Sequence, residues 1–400
     1  MLSTRTSPPS VSTAPLDIAF VGEYPPDDLG VPGANSHARL IASLRARGHR
    51  VHGLDCELRG LRRATVAARL YSRDRERWRG RFHLHPVAFA ARSAVAKRLL
   101  GEVQRRHRLD AVIQYGTAFD GRVAGVPHLI WTDTTSAVTA TEPYSWMGAL
   151  PADEQRRVHD AERRLMEQTD IIMPWSRYAG ESIAAVAGAP RDRIRPTYVG
   201  PSVEIPVPAP RTAPPRETPA TIRVLFIGRE FDRKGGDVFL EAVRRVRARG
   251  IDLVAMIAGP TRLDVSAPHI EFLGFLDKRN PADVQALLDA YARADLFCLP
   301  TRREPFGLVI MEAMLAGLPV VATRLSAIPE MVQHEETGYL VERDDVDDLS
   351  ARLETLATTP ELRLAMGRRG EAYARQRFTW DAVAAAVEAG IREAIAARTR

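Results

Sequence analysis

Short apolar runs alternate with longer segments of period 3.6 along most of the chain. This rhythm predicts βα units and parallel sheets. The strands predicted in the first half are Asp17–Val21, Arg50–Leu54, Asp110–Gln114, His128–Thr132, Ile171–Pro174 and Ile194–Val199. The helices predicted in the same half are Asn35–Arg47, Arg92–Arg106, Ala152–Gln168 and Tyr178–Ala187.

A proline-rich segment then interrupts the pattern, because seven prolines fall within residues 201–219. Prolines this dense cannot continue a helix or a central strand, so the segment is predicted to link two domains. Beyond it the predicted strands are Ile222–Ile227, Leu253–Ala258, Ile270–Leu273, Asp295–Leu299 and Val320–Thr323. The predicted helices are Asp237–Arg249, Pro281–Ala292, Leu308–Ala316, Asp347–Ala357, Pro360–Gln376 and Trp380–Ala397.

Two doubly wound α/β domains that face a central cleft therefore form the expected fold, with ligands at the carboxyl ends of the strands. We expect a disordered arm over residues 1–15 and an N-terminal domain over 16–200. The linker takes 201–220 and the C-terminal domain 221–379. The last segment, 380–400, is expected to form a helix that packs back on the N-terminal domain.

Composition excludes few functions. The chain is 45% hydrophobic and 26% charged, which is ordinary for a soluble globular protein. Its net charge is +6, and nearly all of its positive side chains are Arg, since Lys occurs only at Lys97, Lys234 and Lys278. No apolar run is long enough to span a membrane, and the first 15 residues do not resemble a signal peptide. With only two cysteines, a cytoplasmic protein is expected.

The most informative stretch runs from Glu304 to Thr323. A predicted strand feeds a loop that contains Glu304, and the next helix begins near Gly307. The free N–H groups at that helix start suit a phosphate or a sugar oxygen. Glu312 lies among apolar neighbours, so its carboxylate needs hydrogen-bond donors, and ribose hydroxyls would supply them. The alternative is that the two glutamates are unrelated and that one is a solvated helix edge.

A second stretch, Phe226 to Gly236, follows a predicted strand and opens a helix. Its glycines permit close backbone approach, and Arg229 and Lys234 can both reach a diphosphate. The alternative is a solvated charged loop.

These segments resemble the family 4 glycosyltransferases, the large retaining group with the GT-B fold. The family's pair of glutamates is matched by Glu304 and Glu312, and its Gly-Arg and Lys-Gly segment by residues 228–235. Further matches are Ala258-Gly259-Pro260, Phe272-Leu273-Gly274, Leu299-Pro300, Ile328-Pro329-Glu330, residues 338–341 and Phe378-Thr379-Trp380.

The resemblance implies roles for these residues. Arg229 and Lys234 would stabilise the leaving diphosphate and Gly228 would let the backbone approach it. Glu312 would bind the donor ribose and Glu304 would contact the transferred sugar. Three neighbours, Phe306, Gly307 and Leu308, would line the sugar and phosphate pocket, and Phe275 lies where the family holds the nucleobase.

The N-terminal half matches more loosely. Residues 24–37 resemble the family's glycine-rich first loop, with Gly33 and Ala34 where the family usually carries two glycines. His37 is expected to face the cleft as an acceptor contact, or else to be structural. Asp133 stands near a His of many relatives, and it would either contact the sugar or acceptor or cap the next turn through its threonines. Ser176 matches a family serine, but it also suits a helix N-cap.

The sequence thus predicts transfer of a sugar from a nucleoside diphosphate donor to an unknown acceptor hydroxyl, with retention. No cluster of metal ligands is apparent, so neither a cofactor nor an essential metal ion is expected. The alternatives are an epimerase or phosphorylase on the same fold, or a non-catalytic binder of sugar nucleotides. Nucleic acid is not expected, because aromatics are only 6% and unclustered. The Arg-rich residues 59–81 form either a solvated helix face or a basic surface for the inner face of a membrane.

Overall fold

The computed structural model describes residues 14–26, 35–136, 139, 150–208, 221–262 and 265–399. Two separate parallel sheets form the framework of the two halves. The first sheet has the order β2-β1-β3-β4-β5. Its strands are β1 (Asp17–Gly22), β2 (Arg50–Asp55), β3 (Ala111–Tyr115), β4 (His128–Thr132) and β5 (Ile171–Pro174).

Helices cover this sheet because each connection between parallel strands must cross a face of the sheet. The helices of this half are α1 (Asn35–Ala46), α2 (Gly60–Arg69), α3 (Arg75–Leu84), α4 (Pro86–Gln104), α5 (Ala152–Glu167) and α6 (Arg177–Ala187). Helix α6 begins where the Ser176 hydroxyl accepts a hydrogen bond from the backbone N–H of Ala179 at 2.9 Å, which is the predicted N-cap.

The second sheet has the order β11-β10-β9-β6-β7-β8. Its strands are β6 (Ile222–Ile227), β7 (Leu253–Ala258), β8 (Ile270–Gly274), β9 (Leu296–Leu299), β10 (Val320–Thr323) and β11 (Gly338–Val341). The inner strands read as continuous apolar runs because helices cover both faces of the sheet. In β9 all four residues are buried, from Leu296 to Leu299.

The C-terminal half contains six helices among the described residues: α7 (Gly236–Ala248), α8 (Pro281–Arg293), α9 (Leu308–Leu315), the short α10 (Ile328–Met331), α11 (Val346–Thr358) and α12 (Pro360–Arg377). A further helix, α13 (Trp380–Thr399), lies against the first sheet. Arg47, which directly follows α1, pairs with Asp381 at 2.8 Å and with Glu388 at 3.0 Å. The last helix therefore ties the two halves together.

One predicted strand is wrong. Over Ile194–Val199 the structure has only an isolated bridge between Ile172 and Ile194. Two residues explain the difference: Pro196 has no N–H to donate, and Tyr198 has a φ of +61°, which extended backbone does not adopt. No bounds were predicted for β11, α2, α3 or the short α10, and α4 begins at Pro86 rather than at Arg92.

Candidate functional site

The loop between β9 and α9 lies at the carboxyl end of a central strand. Gly307 precedes the helix with φ +99° and ψ +58°, a left-handed conformation that favours glycine. Phe306 is 6% exposed and its ring centre lies 6.5 Å from that of Phe378. Leu308 is half-buried and begins the helix. The predicted loop and helix start are thus both present, and the N-cap residue Gly307 has no side chain to accept a hydrogen bond from the first N–H groups of the helix.

An ion pair joins the two stretches that the sequence singled out. The ammonium of Lys234, which follows β6, contacts the carboxylate of Glu304, which follows β9. Both side chains are 12% exposed. A Cβ atom added to Gly228 would lie 2.7 Å from Cγ of Lys234, so this glycine allows the lysine stem to cross the strand end.

Gly235 holds the same two loops together. Its φ is +73°, and an added Cβ would lie 2.0 Å from the carbonyl oxygen of Pro300. No side chain fits there, so the close contact between the loops after β6 and β9 requires glycine.

Arg229 and Phe275 meet at the neighbouring strand ends. The guanidinium carbon of Arg229 lies 5.3 Å from the centre of the Phe275 ring, and the ring is 43% exposed. The two residues follow β6 and β8, which flank β7. A cation beside an exposed aromatic face is a favourable contact and leaves both groups open to a ligand.

Glu312 is fully buried within α9, so the alternative of a solvated helix edge is wrong. Protein groups also supply donors to it, so its burial does not by itself require a ligand. Its carboxylate accepts from Ser202 N–H at 2.9 Å, from Tyr291 hydroxyl at 3.0 Å and from Lys278 ammonium at 3.3 Å. Burial and the adjacent Glu312 carboxylate both raise the pKa of Tyr291.

Sequence reasoning missed these three partners. Ser202 lies at the start of the proline-rich segment and Tyr291 lies on α8, so neither is near Glu312 along the chain. The scarcity of Lys marked Lys278, as it marked Lys234, but no local motif connected it to Glu312.

Asp133 follows β4 and lines a cavity of about 380 Å³ in the N-terminal half. Glu23, Tyr24 and Tyr115 line the same cavity, which opens at the carboxyl ends of β1, β3 and β4. The Asp133 side chain touches solvent in the cavity, yet the protein around it raises its pKa by desolvation. A hydrogen bond from the backbone N–H of Thr134 opposes that rise.

His37 is buried at 1% exposure, so it does not face the cleft as expected. Its ring lies among Phe20, Tyr24 and Tyr115, with ring centres 6.1, 6.0 and 5.5 Å away. Its Nε2 atom lies 3.2 Å from the carbonyl oxygen of Pro25. This environment favours the structural alternative. The other two residues predicted in the first loop, Gly33 and Ala34, lie outside the described residues.

A carboxylate of the C-terminal half caps a helix of the N-terminal half. Glu330, which is 8% exposed, accepts hydrogen bonds from the backbone N–H groups of Arg177 at 2.9 Å and Tyr178 at 2.7 Å. These groups are the first N–H donors of α6, where a negative charge is favourable. The contact fixes one domain against the other across the cleft.

One group of potential metal ligands, which was not predicted from the sequence, occurs within the described residues. Asp17, His52 and His107 offer ligand atoms within 4.8 Å of one another. They lie near the start of β1, at the edge of the sheet opposite to Asp133. Asp17 already accepts from His52 at 2.7 Å and from Arg50 at 3.1 Å.

Among the helices in the described ranges, none is both long and apolar enough to cross a membrane. The Arg-rich residues 59–81 show features of both a solvated helix face and a basic surface for a membrane. Val66 and Leu70 point into the core, while Leu61 of α2 is 87% exposed beside Arg62 and Arg63.

Known proteins resemble this chain in sequence. Residues 221–359 match the family model described as Glycosyl transferases group 1. The D-inositol 3-phosphate glycosyltransferase of Corynebacterium glutamicum (strain R) is 31% identical over 265 residues, 62% of this chain and 62% of that protein. The protein of the same name from Saccharomonospora viridis is 33% identical over 261 residues, 61% of this chain and 58% of that one. Less than two thirds of each relative is therefore matched.

Solved structures share the fold over nearly the whole chain. Sucrose-phosphate synthase from Thermosynechococcus elongatus has a TM-score of 0.65 at 17% identity, covering 96% of this chain and 100% of that one. Anabaena HepE in complex with UDP has a TM-score of 0.61 at 17% identity, covering 94% and 99%. The predicted arrangement of two Rossmann-like domains, the GT-B fold, is confirmed.

Proposed function

Because residues 221–359 match the family model of the glycosyl transferases group 1, we propose that this protein is a retaining glycosyltransferase. It moves a sugar from a nucleoside diphosphate donor to a hydroxyl of an acceptor. The curated relatives carry the name glycosyltransferase, and the structural neighbour HepE is described in complex with UDP. Both support a nucleotide-sugar donor. The D-inositol 3-phosphate in the relatives' name is not carried over as the acceptor.

The observation that carries the proposal is the Lys234–Glu304 pair beside the start of α9. An ammonium has three N–H donors, so Lys234 can keep one on Glu304 and offer the others to a phosphate. The N–H groups of Gly307 and Leu308 add the partial positive charge of a helix start. Glu304 would then lie beside the transferred sugar.

Arg229 and Phe275 support a place for the nucleoside end of the donor. The exposed Phe275 ring offers an apolar face to a base, and the Arg229 guanidinium above it can bind a phosphate oxygen. Glu312 would reach the donor ribose only by sharing a carboxylate that Ser202, Lys278 and Tyr291 already contact.

Catalysis in this proposal is electrostatic. When the bond between the sugar and the diphosphate breaks, negative charge collects on the departing phosphate oxygens. Arg229, Lys234 and the α9 N–H groups would stabilise that charge, and such preorganised donors are commonly the largest catalytic contribution. With this positive charge supplied by protein groups, we propose that no metal ion is needed, so activity should survive chelation by EDTA.

We further propose that the protein works in a reducing compartment at a membrane surface. Cys56 and Cys298 are both buried free thiols, which is typical of such a compartment. The exposed Leu61 among arginines is typical of a contact with anionic lipid. Sedimentation with anionic and neutral vesicles tests the contact, and Leu61→Ser should weaken binding to the anionic ones only.

A direct test is incubation with UDP-, GDP- and ADP-glucose. A transferase should slowly release the matching nucleoside diphosphate in water alone, and one donor should be preferred. An epimerase would convert the sugar without releasing nucleotide, and a non-catalytic binder would leave the donor intact. Once an acceptor is found, the anomeric proton coupling of the product should match that of the donor.

A further inference from the structure

The cavity beside Asp133 carries three carboxyl groups on its walls: Glu23, Asp133 and Glu162. Glu162 is saturated by protein donors, since it accepts from Ser136 N–H at 2.9 Å, from the Ser136 hydroxyl at 2.5 Å and from the Thr117 hydroxyl. Glu23 is paired with the buried guanidinium of Arg92. These two carboxylates therefore have their partners within the protein.

Asp133 has no such cationic partner among the described residues. Its hydrogen bonds come from backbone N–H groups, and its negative charge adds to burial in raising the pKa of Tyr115. The Asp133 side chain is exposed to the cavity, so its carboxylate is open to a cationic ligand, which would stabilise its charge.

The residues lining the described part of the cavity include no Lys, Arg or His. An acceptor with a phosphate or carboxylate would meet like charges here and no compensating cation.

Two aromatic rings stand beside the unpaired carboxylate. The ring centres of Tyr24 and Tyr115 are 6.4 Å apart, and both line the cavity with Asp133. Tyr24 is 40% exposed. A carboxylate flanked by electron-rich rings is a typical environment for an ammonium group, which gains from both.

We propose that this cavity selects a ligand with a protonated amine on a hydroxyl-rich ring, such as an amino sugar, and that the amine binds Asp133 between Tyr24 and Tyr115. The cavity's charge preference stands on its own. That its occupant is the acceptor rests on the proposed function.

The test compares three compounds that share one sugar ring and differ in charge: glucosamine, glucose and glucose 6-phosphate. Binding is measured by titration calorimetry or ligand-observed NMR on the full chain at pH 7, with UDP present. Glucosamine should bind about tenfold more tightly than glucose, and glucose 6-phosphate more weakly than glucose. N-acetylglucosamine, which keeps the ring but loses the charge, should bind like glucose.

Asp133→Asn keeps the shape and removes the charge. The variant should bind glucosamine and glucose with about equal affinity, while its affinity for UDP stays unchanged. Tyr24→Leu, which removes one of the two rings, should reduce the same preference by several-fold.

Preference for glucose 6-phosphate, no binding of any of the three compounds, or an undiminished preference in Asp133→Asn would overturn the inference. If UDP, GDP and ADP all failed to bind the unaltered protein, that result would instead count against the proposed function, so the two failures are distinguishable.

Discussion

The guanidinium of Arg229 lies 5.3 Å from the centre of the Phe275 ring, although 46 residues separate them along the chain. Parallel strands bring their carboxyl ends to one edge, so the loops after β6 and β8 meet there. A nucleoside diphosphate that uses this edge should contact both residues.

Replacing Arg229 should therefore weaken nucleotide binding. We expect Arg229→Ala to raise the Kd for UDP about tenfold, the loss of one charge-assisted contact of about 1.4 kcal/mol. Arg244→Ala is a matched control, since Arg244 is 66% exposed on α7 and pairs only with Glu241. Calorimetric titration measures both. Equal Kd values for the two variants would contradict the assignment of Arg229.

Gly235→Ala tests the contact between the two loops of the site. Gly250 is the control, because its φ of +87° is similar but an added Cβ there meets nothing within 4 Å. Gly250→Ala should cost about 1–2 kcal/mol for the left-handed backbone alone. Gly235→Ala should cost about 1–3 kcal/mol more, because its Cβ would collide with the Pro300 carbonyl. Thermal unfolding gives the comparison, and similar melting temperatures would refute the close approach.

Glu330 should stabilise the arrangement of the domains. Glu330→Gln removes the charge that the first N–H groups of α6 contact, and we expect a loss of about 1–3 kcal/mol in the free energy of unfolding. Glu336→Gln, an exposed change on the same domain, should be neutral. Melting temperatures of the two variants at low salt decide the point. If Glu330→Gln and Glu336→Gln melt at the same temperature, the contact of Glu330 with α6 does not stabilise the arrangement of the domains.

Two histidines, the half-buried His83 and the buried His128, should make the N-terminal domain sensitive to acid. Burial lowers the pKa of His83 to about 4 and that of His128 to about 3, against about 6.5 in an unfolded chain. As the pH falls below 6.5, the unfolded chain takes up protons that the folded state excludes. Stability is therefore complete above pH 6.5 and falls by up to about 1.4 kcal/mol per pH unit for each histidine.

His128→Gln tests this dependence, because glutamine can still bond to Gln114 and Thr169, the present partners of the ring. Stability measured by urea unfolding between pH 6.5 and 5 should fall less steeply in the variant. An unchanged slope would mean that His128 is protonated in the folded protein.

The sequence was sufficient for the alternation of strands and helices, because buried parallel strands and amphipathic helices each leave a strong periodic pattern. It failed where local chemistry overrode that pattern, as at Pro196 and Tyr198. The bounds of α2 and α3 were not predicted because a single residue of each helix is buried, Val66 in α2 and Gly80 in α3, so little in the pattern marks where each helix begins and ends.

The candidate site was predictable only in part. Glu304 and Lys234 belong to local motifs, so the sequence identified both, although not that they contact each other. The partners of Glu312 come from three distant segments, which no local pattern connects. The Asp133 cavity depends on the ends of three strands and on Glu162 from α5, so only the folded chain brings its carboxyl groups together.

The central claim is that Lys234 binds the diphosphate of a nucleotide sugar. Calorimetric titration of the unaltered protein and of Lys234→Ala with UDP, GDP and ADP tests it most directly. We predict that at least one of the three binds the unaltered protein and that Lys234→Ala raises its Kd at least tenfold, with the fold retained by circular dichroism. Equal affinities in the two proteins, or no binding of any of the three, would contradict the account.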